Sequence, residues 1–170
     1  AERRIGVILT EAQKQILLGD LAWRLSLASK VELPKERVLS HVVLRLPSLP
    51  HVDHTPAEVL DHLLERSGVL REPVRGRVDF VHRTFQEYLA GKQAAEEHLM
   101  DFLVRNAHLD QWRETVVMGA GHASVPLRTN LLNSLLDRAD EEPRHARRLK
   151  LVAASCFDTA HTIDPEVTSR

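Results

Sequence analysis

Cysteine is nearly absent from this chain: Cys156 stands alone among 170 residues. An internal disulfide is therefore excluded, and the usage fits a reducing compartment, so a cytoplasmic setting is expected. Net charge is also lacking. A formal value of -1 gives no electrostatic pull toward nucleic acid or an anionic membrane. No apolar run approaches transmembrane length. The apolar stretch after Arg3 and Arg4 turns polar too soon for a signal peptide. There is no initiating methionine, and the chain reads as a piece of something longer. No G-x-x-x-x-G-K-[ST] loop is present to cradle phosphates; Gly6, Gly19, Gly68, Gly76, Gly91, Gly119 and Gly121 are scattered.

Catalytic groups are missing too. No acid, base or nucleophile has a partner at a meaningful spacing, so no enzyme activity and no catalytic residue are expected in this chain. Ten histidines invite a metal site, and His51-Val52-Asp53-His54 is the densest cluster. It has no second ligand pair at zinc spacing, and the better reading is a solvated loop with no metal.

What is there is a 43% hydrophobic content, enough to fill a core in one ordinary domain or two small ones. Thr10-Glu11-Ala12-Gln13 forms a capping box, and Ile16, Leu17, Leu21, Leu25 and Ala28 follow at helical spacing to about Ser29. Pro34 suits the first turn of a second helix with Val38, Val42 and Leu46 on one face, ended by Pro47 and Pro50. Thr55-Pro56-Ala57-Glu58 stacks an N-cap, an N1 proline and an N3 glutamate ahead of Val59, Leu60, Leu63 and Leu64, and Gly68 closes that helix. Val69 to Val74 and Arg77 to Val81 are extended runs around an Arg75-Gly76 turn. Three helices and a hairpin make a winged-helix order. Beyond it the chain reads as helices near 84–106, 110–122, 125–139 and 143–158, with Asp110, Pro126 and Pro143 at the later starts. Short connections imply antiparallel, HEAT-like pairs. Leu99, Phe102, Leu103, Val116, Val117, Leu131, Leu135 and Leu151 are the expected anchors, and Trp112 is expected in the core; Trp23 is ambiguous between core and surface. Ile163 to Arg170 reads as a frayed helix or tail. The fold class is thus mainly α, with a winged-helix-like domain over 1–95 and a helical, repeat-like domain over 96–170.

The densest signal lies between these halves, in Phe80-Val81-His82-Arg83-Thr84-Phe85-Gln86-Glu87-Tyr88-Leu89-Ala90-Gly91. A strand end runs into a histidine. Thr84 then reads as an N-cap with Glu87 three positions on. Phe85, Tyr88 and Leu89 share a helical face that reads as core. Val78, Phe80 and His82 share a strand face, which turns His82 inward. His82 has two readings at this corner. It is either a half-buried residue hydrogen-bonded at a domain seam, or a group held near an anion by free N–H groups and the helix dipole.

The pattern F-x-H-x-x-F-Q-E-Y-L-A resembles the segment that closes the winged-helix part of NACHT-type signal-transduction NTPases, the class that includes the NOD-like receptors. Glu2-Arg3-Arg4-Ile5 with Leu9-Thr10-Glu11, Leu63-Leu64-Glu65-Arg66-Ser67-Gly68-Val69-Leu70-Arg71-Glu72, and Trp112-Arg113-Glu114 with Gly119-Ala120-Gly121-His122 are similar to flanking parts of the same proteins. Gly91 departs from them, since a second alanine is usual there; in a helix it costs about 1 kcal/mol, implying a bend or weak point. The resemblance implies a regulatory piece without the NTPase core. His82 would be the cofactor-binding residue that reaches the phosphates of ADP in a closed state. ADP or ATP with Mg would belong to the parent protein, which the resemblance implies is an ATPase, and none to this chain. The core of the same polypeptide would be the partner.

Two other classes remain open at this point. One is a winged-helix transcription regulator. Its groove-facing helix, Thr55 to Ser67, carries Glu58, Asp61 and Glu65 against Arg66, so no nucleic-acid partner is expected. The wing, with Arg71, Arg75, Arg77 and Arg83 against Glu72 and Asp79, is mildly basic. Arg144, Arg147, Arg148 and Lys150 follow Asp140, Glu141 and Glu142 and read as a solvated face. The other class is a helical scaffold binding a protein ligand through 99–170. No membrane partner is expected.

Overall fold

Thr10 opens the first helix, α1 (Glu11–Leu27), through the expected capping box: its hydroxyl accepts from the Gln13 N–H, and the Gln13 side chain accepts from the Thr10 N–H. A computed structural model of the chain describes residues 6–159; Glu2-Arg3-Arg4-Ile5 and the tail from Ile163 lie outside the described residues. Strand β1 (Glu32–Pro34) follows α1, then α2 (Lys35–Arg45). Pro34 is thus the last strand residue and caps α2; it does not sit in the first turn. A single 3-10 turn at Leu46–Ser48 contains Pro47 and stops α2. Helix α3 (Pro56–Arg66) begins at Thr55 with a second complete capping box. Strands β2 (Leu70–Val74) and β3 (Arg77–Phe80) turn at Gly76, whose φ of 80° favours glycine.

The hairpin is joined by a third strand. The antiparallel sheet has the order β1-β3-β2, with Leu33 opposite Val78 and Leu70 opposite Phe80, and an irregularity between Arg71 and Val74. Helix α2 packs on α1 and α3, and α3 on β2. Leu17, Leu21, Leu25, Val38, Val42, Leu60 and Leu63 fill the space between them and are buried. Trp23 is buried as well. This is the winged-helix-like arrangement.

Helix α4 (Arg83–Glu96) is followed by α5 (Met100–Asn106), a 3-10 turn at Asp110–Trp112, α6 (Arg113–His122), α7 (Val125–Glu141) and α8 (Pro143–Thr159). The chain divides into compact units at 89/90, inside α4. Within the second unit α7 packs on α8, α6 on α8 and α5 on α7, the pattern of stacked helix pairs. Arg128 of α7 is buried and donates to the carbonyls of Ala120 and Ala123 at 2.8 and 2.9 Å, closing the end of α6.

Several local expectations need correction. The helix expected over 84–106 breaks at 97–99. His98 takes φ 59°, and the Leu99 N–H donates back to the Ala94 carbonyl at 2.9 Å, a Schellman-type stop without glycine. Ser29, φ 53°, ends α1 the same way, with Lys30 N–H on the Leu25 carbonyl. Helix α4 runs through Gly91 without interruption. Asp110 is the first residue of the 3-10 turn and makes no capping bond; it faces Arg148 at 3.4 Å. Leu151 is 55% exposed, because Leu149, Val152, Ala153 and Cys156 form the buried face of α8. Leu103, Val116, Leu131 and Leu135 are buried as expected. Leu99, Phe102 and Val117 are half-buried.

The Thr55 box gives a first test. Thr55→Ala removes the acceptor of the Glu58 N–H at 3.2 Å. It is expected to lower unfolding stability by about 1 kcal/mol in a urea titration. The Thr55 N–H, first among its causes, holds the Glu58 carboxyl below its ordinary value. Stability from this contact is therefore present above the usual carboxylate range and fades as pH falls through the folded value.

Candidate functional site

The β3–α4 corner is built by four ties. The Val81 N–H donates to the Val69 carbonyl at 2.8 Å, extending the ladder past Phe80. The Phe85 N–H donates to the His82 carbonyl at 3.1 Å and closes the first turn of α4. Gln86 is buried, and its Nε2 donates to the Ser26 hydroxyl at 3.2 Å and the Lys30 carbonyl at 3.4 Å, both at the end of α1. Leu89 is buried one turn on.

These ties decide which way the motif faces, and they reverse part of the sequence reading. His82 is exposed, so it does not point inward. Its ring lies 5.7 Å from that of Phe85, tilted by 37°. Phe85 is 38% and Tyr88 44% exposed, so neither belongs to the core. Helix α4 starts at Arg83, which places Thr84 inside the first turn and not at the cap. Glu87 consequently pairs with Arg83, Nε to Oε1 3.0 Å, and forms no box. The inward stripe is Gln86 and Leu89; the outward stripe is His82, Phe85 and Tyr88. Gln86 was not recognised from sequence as the anchor, because a glutamine next to a glutamate carries no burial signal.

The resulting corner offers an exposed imidazole, the N–H groups of a helix start that lack intrahelical acceptors, and an aromatic side wall. The positive end of the helix dipole favours an anion beside His82. The neighbouring guanidinium of Arg83 is committed to Glu87.

A second concavity, about 550 Å³, lies among Pro34, Leu39, Ala57, Leu60 and Arg75. Its lysine is engaged by two carboxylates. Lys35 Nζ sits 2.9 Å from Glu72 and 3.2 Å from Asp61, and the Glu72 contact is the first cause that raises its pKa. Glu72 accepts from the Gly76 N–H at 2.9 Å, and the Lys35 N–H donates to the Gly76 carbonyl at 2.8 Å. The knot fixes the hairpin turn to the start of α2.

The wing arginines are similarly engaged. Arg71 is bidentate on Asp79 at 2.8 and 3.2 Å, and Arg77 holds Glu32 at 2.6 and 3.0 Å. Arg75 is exposed. Glu58, Asp61 and Glu65 are exposed along α3. On α8, Arg148 faces Asp110 and Lys150 faces Asp140 at 3.6 Å. His54 lies 3.6 Å from Glu58, and no group of three metal-ligating side chains occurs among the described residues. No helix among them is long and apolar enough to cross a membrane. Comparison with family profiles, curated proteins and solved structures gives no match for this chain.

Proposed function

We propose that this chain is the winged-helix and helical regulatory portion of a NACHT-type signalling NTPase, a cytoplasmic switch that couples nucleotide state to oligomerisation. The observation that carries the reading is the β3–α4 corner: His82 stands exposed at a helix start beside Phe85, while Gln86 and Leu89 fix the corner from within. An exposed imidazole on a fixed corner can donate one hydrogen bond to a phosphate oxygen of a nucleotide held by an adjoining core. The half-exposed Phe85 and Tyr88 supply apolar surface for that core to cover. The chain itself brings one contact to the phosphates, so the nucleotide and its Mg are held by the core.

A charge-assisted hydrogen bond of this kind contributes about 1.5–3 kcal/mol, roughly ten- to a hundred-fold in affinity. In a polypeptide carrying both core and switch, His82→Ala is expected to speed ADP release by that factor and to raise the oligomeric fraction. Nucleotide dissociation followed with a fluorescent ADP, with size-exclusion on the same samples, measures both. Unchanged ADP dissociation in that variant, with wild-type helical content, would make His82 an ordinary surface histidine and remove the support for the reading.

A further inference from the structure

We propose that His108 is a pH-sensitive latch in the second unit: its neutral imidazole ties the turn between α5 and Asp110–Trp112 to α7 and α8, and protonation releases that turn.

Arg138 of α7 is the fixed half of the latch. Its Nη1 donates to the carbonyls of Val104 and Arg105 at 2.7 and 2.9 Å, closing the end of α5. Its Nε and Nη2 donate to the Glu142 carboxylate at 2.9 and 3.1 Å. Nη2 also lies 3.0 Å from Nδ1 of His108. A guanidinium has donors and no acceptor, so this contact is a hydrogen bond only when Nδ1 is bare and the ring proton sits on Nε2. On the other side, the His145 ring of α8 lies 4.5 Å away, centroid to centroid, tilted by 39°. Arg148 of α8 donates to the His108 carbonyl at 2.8 Å and faces Asp110.

The groups acting on the imidazole are therefore the Arg105 carbonyl on α5, Arg138 and Glu142 from α7 and its cap, and His145 on α8; Arg148 and its partner Asp110 lie at the His108 backbone. Desolvation, then Arg138, then His145 push the His108 pKa below its ordinary value; Glu142 and the Arg105 carbonyl oppose them and are outweighed. A proton on Nδ1 would point at the guanidinium. Arg138 is held by a carboxylate and two carbonyls, so the imidazole is the group that moves. The Ala107–Leu109 segment moves with it.

The sign follows from the depressed value. A base that is harder to protonate in the folded state contributes stability that is complete above its unfolded pKa, near 6.5. That contribution is lost as pH falls from there toward the folded pKa.

The test uses the 170-residue chain, with histidine ring titration and amide exchange at Leu109 followed by NMR between about pH 7.5 and 5. His108 is expected to titrate below 6.5. His145→Asn should move that titration upward. Exchange at Leu109, corrected for its intrinsic pH dependence, should quicken in step with the titration. His108→Asn keeps an acceptor near the Nδ1 position and removes the charge. Its unfolding constant should change less over the same range, by about tenfold for each unit of depression in wild type. Titration of His108 at or above its ordinary value, or the same pH dependence in wild type and His108→Asn, would overturn the latch. Should His108→Asn not fold, the wild-type ring titration and Leu109 exchange decide alone.

Discussion

Trp112→Ala is expected to cost the second unit about 3–5 kcal/mol, the loss typical of truncating a buried tryptophan. The indole is 3% exposed and meets Phe102 of α5 edge-on, with ring centroids 5.0 Å apart at 70°. Such aromatic pairs contribute about 0.5–1.5 kcal/mol beyond the area they bury. Trp112 also sits where the 3-10 turn becomes α6, so the void left by alanine opens between α5 and the start of α6. Natural domains hold about 5–15 kcal/mol in all, so the variant is left with a small margin. Trp112→Phe keeps a ring for Phe102 to meet and should retain most of the stability. Urea unfolding followed by far-ultraviolet circular dichroism measures the three proteins together. An alanine variant within about 1 kcal/mol of wild type, the size of an ordinary surface change, would show that Trp112 does not anchor the helix pair.

The parts of the fold legible in the sequence were those whose signal is local. Thr10 and Thr55 cap their helices as read, because a capping box needs four consecutive residues and nothing else. Pro126 and Pro143 mark helix starts for the same reason. The stop at His98 was not legible: the residue takes a left-handed conformation usually left to glycine, and tertiary packing decides that. The third strand was missed because Glu32–Pro34 is too short to show alternation.

At the candidate site the limit was direction. Hydrophobicity groups Phe85, Tyr88 and Leu89 as one inner face; Leu89 is buried as expected, but it shares the inner side with Gln86, while Phe85 and Tyr88 turn outward. Gln86 is drawn inward because it satisfies the Lys30 carbonyl left open beyond the end of α1. A stripe carrying a glutamine is inner only if an acceptor waits for it, and that acceptor lies 56 residues away in sequence. Distant partners also define Arg138, which joins α5, α7 and His108 and which no local sequence signal singles out.

Gly91→Ala provides the complementary expectation, and here two effects compete. Alanine in a helix interior is favoured over glycine by about 1 kcal/mol, so propensity alone predicts a gain. Space predicts the reverse. A Cβ on Gly91 would lie 2.6 Å from the Gly119 nitrogen, 2.8 Å from the Met118 Cβ and 2.9 Å from the Thr115 carbonyl oxygen. Two of these atoms are backbone and the third is a Cβ, so no flexible side-chain end can step aside; α4 and α6 must separate instead. Gly119 reciprocates, since a Cβ there would meet Leu103 at 3.1 Å and the Gly91 carbonyl at 3.4 Å. Overpacking a close crossing costs about 1–3 kcal/mol and more where backbone must move, so the clash outweighs the propensity. The net expectation is a loss of about 2 kcal/mol for Gly91→Ala, and a larger one for Gly91→Val. Gly121→Ala is the control. It lies on α6 with nothing within 4 Å of its added Cβ, and it should gain up to about 1 kcal/mol. Thermal unfolding of both variants separates the effects: a Gly91→Ala protein as stable as Gly121→Ala would mean that α4 and α6 do not meet at this glycine pair.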